Sequence, residues 1–130
     1  MFKRIALVFT LTLFALVGAG AYVFSKPFPP LPSLFVGLAC NPTPNCGEAV
    51  NLRLQQRFPF GSAETGLIQE LRSEGFQPVA DLSAPQRKFV FDRLGDVIHD
   101  VCRRSGEVNW SADNAGHLTV VSGSYVTSCP

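Results

Sequence analysis

The chain has 130 residues and a formal charge of +1. Setting aside Lys3, Arg4 and Lys26 leaves 8 Lys and Arg against 10 Asp and Glu, so the remainder is near −2 with no basic stripe. That balance removes the electrostatic drive for nucleic-acid binding, and the length leaves room for one ordinary domain, its core Phe-rich because 11 Phe stand beside 1 Trp and 2 Tyr.

Met1-Phe-Lys-Arg4 leads into a run from Ile5 to Phe24 that is apolar almost throughout. Two cations ahead of about 20 apolar residues predict an export signal or a membrane anchor. Ile5 to Val17 has the length of a signal-peptide apolar region, and Ala19-Gly20-Ala21 supplies a small-x-small cleavage pattern that would start the mature chain at Tyr22. Apolarity continues through Tyr22, Val23 and Phe24, which suits a retained helix with Tyr22 at the interface and Lys26-Pro27 beyond it. With Lys3 and Arg4 inside, either reading delivers the rest across the membrane. The expected address is the periplasmic side of the bacterial inner membrane, or the free periplasm if the leader of residues 1–24 is cut. A third route, lipidation of Cys40, is opposed by Gly37 at the position where a lipobox carries a branched apolar residue.

Residues 25–33 hold four prolines and read as a stiff extended spacer of about 3 Å per residue. Leu34 to Ala39 reads as a short strand or a packed segment, and the spacer is placed at 25–39. A single α+β domain is expected over 40–130. It opens on Cys40-Asn-Pro-Thr-Pro-Asn-Cys46, whose turn-forming residues favour a local bridge. That would leave Cys102 to pair with Cys129, although four cysteines allow three pairings.

Val50, Leu54 and Phe58 recur every fourth residue and predict a helix over 48–58, stopped by Pro59. Ser62 is the expected cap of a second helix over 63–74, with Glu64 in its first turn and Leu67, Ile68 and Leu71 on one face. Gly75 supplies a left-handed end, Phe76 folds back on the last turn and Pro78 blocks continuation. Lys88 to Asp92 reads as a strand. Val97 to Cys102 fits helix or strand and is assigned as strand on its β-branched content. Glu107 to Ala112 alternates Val108 and Trp110 with polar neighbours, Asp113 to Gly116 is a turn, and Leu118 to Val121 returns, extended through Tyr125 and Val126 after a kink at Gly123. The fold class is therefore α+β: two N-terminal helices packed on a small antiparallel sheet of three or four strands. Phe89, Phe91, Val108, Trp110, Leu118 and Val120 are its expected inward residues.

Chemistry-bearing groups are sparse. His99-x-x-Cys102 with His117 and Cys129 has zinc-like spacing, but an oxidising compartment favours the disulfide. His99 and Asp100 are adjacent, so on a strand they would point to opposite faces, and Ser122-Gly-Ser124 lacks a nucleophile elbow. Glu70 and Glu74 share a helix face and read as solvated carboxylates. Arg103-Arg104 is a two-residue basic spot suited to a rim contact. No catalytic set, cofactor site or metal site is expected. The disulfide cysteines Cys40, Cys46, Cys102 and Cys129 are the only site residues assigned.

Gly61-Ser62, Leu67 six residues after the glycine, Leu71 four later and the helix-ending Gly75 resemble the small outer-membrane assembly lipoproteins of the SmpA/OmlA (BamE) type. Val108-Asn-Trp110, the turn to Gly116 and Leu118-Thr-Val-Val121 resemble the closing hairpin of that fold, over residues 48–122. The resemblance implies two helices on a small antiparallel sheet, an architecture shared with β-lactamase-inhibitor proteins. The Phe58-Pro-x-Gly-Ser helix start and the Trp–turn–Gly–Tyr–Cys ending are also similar to a group of small proteobacterial envelope proteins. The functional expectation is a non-catalytic exported envelope module that touches the membrane through its N-terminal segment and binds a protein partner. A secreted inhibitor or immunity-type protein is the alternative, and an enzyme a further one.

Overall fold

The computed structural model describes residues 30–38, 40, 46–79, 85–95 and 101–130. The chain divides into two compact units, Met1–Pro30 and Leu31–Pro130. The predicted anchor and most of the spacer lie outside the described residues, as do His99, Asp100 and Val97.

The second unit begins earlier than composition suggests. Residues 33–37 form a turn in which Phe35 and Val36 donate to the Pro32 carbonyl at 2.9 and 3.2 Å. This strap, residues 31–38, buries Leu34 and Phe35 completely. The spacer assigned to 25–39 therefore ends before Leu31, and the domain assigned to 40–130 gains its first core residues ahead of Cys40. Proline content marked the segment as a linker, yet Pro32 initiates a turn that drives two apolar side chains inward.

Helix α1 spans Gly47–Arg57 and helix α2 Glu64–Ser73. The fourfold spacing of Val50, Leu54 and Phe58 puts all three against the core. Leu67 and Leu71 do the same for α2. Among the described residues these two helices lie mid-chain rather than at the N-terminus of the chain, and they precede the strands. The end of α2 is a Schellman motif. Phe76 N–H bonds the Leu71 carbonyl at 3.0 Å, Gly75 N–H bonds that of Arg72 at 3.1 Å, and Gly75 takes φ +90°.

The start of α2 departs from expectation. Ser62 is not its cap: the preceding residue is Ala63, and the Ser62 hydroxyl donates to the Pro59 carbonyl instead. The chain at 61–63 is held as an extra rung beside the β-sheet. Gly61 N–H reaches the Leu118 carbonyl, Leu118 N–H reaches that of Ser62, and Ala63 pairs with His117. Glu64 N–H, an orphan donor of the first turn, is satisfied by the Gly116 carbonyl at 2.9 Å.

Four strands follow in an antiparallel sheet ordered as in the sequence: β1 Gln77–Pro78, β2 Arg87–Arg93, β3 Arg103–Ala112 and β4 Leu118–Ser128. Val101 and Cys102 precede β3 and are not strand residues. β1 is a two-residue edge in which Pro78 faces Phe89, a place where a missing donor costs nothing to the ladder. Phe89, Phe91, Val108, Trp110 and Leu118 point to the helices and are buried. Val120, expected inward, is 61% exposed. A register shift opposite Ser111 and Ala112 inserts one extra residue in β4, so the inward set changes from Leu118 to Val121, Gly123 and Tyr125. The ladder continues through Gly123 without a break. Gly123 is where α1 lies closest: a Cβ there would come within 2.9 Å of Val50 Cγ1, Leu54 Cδ1 and the Glu107 carbonyl.

Candidate functional site

The four cysteines form two bridges, Cys40–Cys46 with Cα atoms 5.4 Å apart and Cys102–Cys129 with Cα atoms 4.2 Å apart. The second continues the β3–β4 ladder by one step beyond the Arg103–Ser128 pair. With its sulfur committed to Cys46, Cys40 has no thiol for a lipid. Cleavage before it would also remove Leu34 and Phe35 from the core.

Among the described residues, three clusters of charged groups are positioned by the fold. The first sits at the start of α2. Glu64 Oε1 accepts the Trp110 indole N–H at 2.7 Å and pairs with Arg87, and the two charged side chains are only 14% and 19% exposed. Glu64 projects from the first helical turn, while Arg87 and Trp110 are register partners on β2 and β3. An open hollow of about 740 Å³ beside them is lined in part by Ser111, Asp113 and Asn114. Each carboxylate at its edge is engaged. Asp113 Oδ1 accepts the backbone N–H groups of His117 at 2.8 Å and Ala115 at 2.9 Å, which hold its carboxyl below the usual range, aided by the nearby imidazole. His117 Nδ1 lies 3.6 Å from Asp113 Oδ2, with both side chains about half exposed.

The second cluster clamps the strap. Arg53 donates to the carbonyls of Val36 at 2.7 Å, Leu34 at 3.0 Å and Ser33 at 3.5 Å. Arg57 bonds both Glu70 and the Ser33 hydroxyl at 2.6 Å, and that hydroxyl donates in turn to Glu74. Glu70 and Glu74 thus share a face, as their spacing requires, but they tie α1, α2 and the strap together rather than face an open cleft. The third cluster lies on the open face of the sheet. Arg103 makes a two-pronged contact to Asp92 at 3.0 and 2.6 Å, which lowers the Asp92 pKa and raises that of Arg103. Lys88 pairs with Glu107 and lowers its pKa through a side-chain hydrogen bond.

Among the described residues no group of His, Cys, Asp and Glu is arranged to hold a metal ion. No helix among them is long and apolar enough to cross a membrane. Ser122 and Ser124 lie within β4, paired with Asn109 and Glu107.

Apolar surface gathers elsewhere. Phe60, between Pro59 and Gly61, is 85% exposed. With Gln55, Phe58, Val120 and Val121 it borders a groove of about 390 Å³ at the start of β4. Sequence reasoning passed over Phe60. Its signal was an aromatic residue in a Pro–Gly turn, where no core contact is required. The Glu64–Trp110 bond was also missed, although a buried indole needs an acceptor and the chain has a single Trp.

Comparison of the chain with protein-family models, curated proteins and solved structures finds no match.

Proposed function

We propose that this chain is a non-catalytic envelope protein, exported behind its N-terminal apolar segment, whose disulfide-closed domain binds a protein partner. The observation that carries the reading is the exposed Phe60 ring, set beside Val120 on a folded domain whose other large aromatic side chains are used in its core. An aromatic residue held in a turn offers large contact area at low entropic cost, which is the composition favoured in protein interfaces. The state of the carboxylates supports the non-catalytic part. Glu64, Glu70, Glu74, Asp92, Glu107 and Asp113 each bind a cation, a hydroxyl or backbone donors within the domain. Two disulfides fit an oxidising compartment. The BamE-like resemblance agrees with an envelope role for such a module.

A photo-crosslinking amino acid placed at position 60 of the full chain in cells tests the reading. A discrete protein adduct is expected there and not from position 92 on the open sheet face. Absence of an adduct at position 60, with free thiols on native material, would remove both the partner and the exported setting.

A further inference from the structure

The strap packs on the sheet where Phe35 meets Gly106 and Tyr125. Leu31, Phe35, Gly37, Leu38 and Cys40 form one wall of a groove of about 430 Å³, and Arg104, Tyr125 and Thr127 form the other. Arg104 and Thr127 are register partners, two residues along the ladder from the Gly106–Tyr125 pair and so on the same face of the sheet. Tyr125 is 2% exposed and stacks on Phe35 with ring centroids 4.4 Å apart. Its hydroxyl bonds no described residue. A buried phenol normally finds a partner. Tyr125 is one of the residues that line the groove. Thr127 and Arg104 line the same groove, and the five N–H donors of the Arg104 guanidinium can serve a second acceptor alongside the interaction it already makes.

We infer that this groove binds a small organic anion with an apolar body. The apolar body lies against Leu31, Phe35 and Leu38, and a carboxylate takes the place of the missing acceptor for Tyr125, with Thr127 and Arg104 as further donors. Apolar walls combined with a few polar side chains are the usual make-up of small-molecule sites. The site is separate from the Phe60 surface and does not depend on the partner reading.

3-Phenylpropionate is a suitable probe, with its uncharged amide as the twin, titrated into the full chain in lipid nanodiscs and followed by backbone amide shifts. Saturable shifts are expected at residues 104–106 and 125–127 for the acid, and binding at least tenfold weaker for the amide. Tyr125→Phe keeps the ring and its stack and removes only the hydroxyl. It should weaken the acid about fivefold to tenfold. Arg104→Gln should weaken it more than tenfold. Intact amide spectra of both variants distinguish lost binding from lost folding. No saturable shift in the parent protein, equal binding of acid and amide, or undiminished binding in both folded variants would overturn the site.

Discussion

The ring of Phe35 occupies the space that a side chain at Gly106 would need. A Cβ built on Gly106 would overlap that ring and approach the Ser124 carbonyl to 3.0 Å. Phe35 in turn packs against Phe76 at 5.6 Å and Phe91 at 6.0 Å between centroids, so one strap residue organises the aromatic end of the core. Phe35→Ala should cost about 3–5 kcal/mol. Gly106→Ala should cost about 1–3 kcal/mol. The double variant should be more stable than the sum of the two losses, because truncating Phe35 vacates the space the new methyl needs. Urea denaturation of the three variants checks this, and strict additivity would contradict the wedge.

Glu64 joins a helix start to two strands, so its replacements separate two roles. Glu64→Gln keeps an acceptor for the Trp110 indole and loses the charge opposite Arg87. Glu64→Leu strands both donors in a partly buried setting. The expected losses are about 1 kcal/mol and about 2–3 kcal/mol. The chain has 1 Trp, so Trp110 fluorescence reports directly on this cluster during unfolding. Equal losses would mean that the indole bond adds nothing.

Asp92, Glu107 and Asp113 all have pKa values below their ordinary 3.8, 4.5 and 3.8. A group depressed in the folded state contributes stability that is complete above its unfolded pKa and fades as pH falls through the folded one. Stability should therefore be flat near neutrality and decline below about pH 4.5, with the loss complete only under strongly acid conditions. Asp92→Asn should make the decline shallower. High salt should weaken the Arg103–Asp92 part, since those side chains are 57% and 44% exposed. Thermal melts across pH at two salt concentrations check both statements.

The bridges differ in span. Cys102–Cys129 encloses a sequence separation of 27 and Cys40–Cys46 one of 6. On the loop-entropy relation the longer one contributes about 3–4 kcal/mol and the shorter about 2 kcal/mol. Replacing Cys102 and Cys129 together by Ser should therefore destabilise the domain more than replacing Cys40 and Cys46. Intact mass before and after reduction should differ by four hydrogens. Native protein lacking that difference would contradict both bridges.

Side-chain periodicity carried much of the architecture. The Val50–Leu54–Phe58 spacing, the Gly75 helix end and the Val108–Trp110 alternation are local signals, and each element lies within a few residues of its expected span. What escaped depends on partners distant in sequence. Ser62 has cap chemistry, but its backbone is recruited by Leu118. Val120 obeys the strand alternation until one inserted residue turns it outward. Leu34 to Ala39 reads as a short strand or a packed segment, but the partner that gives Phe35 its place, a glycine 71 positions further on, has no local signal. The candidate sites were less legible still. Tyr125 and Phe60 differ from ordinary core residues only in what surrounds them: one lacks a bond and the other lacks cover.

Arg53 holds the carbonyls of Ser33, Leu34 and Val36, so the strap is fixed to α1 along its length. Drawing the strap loose would extract Phe35 from beneath Tyr125 and open the core at that end. The strap is thus a structural part of the core, and loosening it would open the domain at that end.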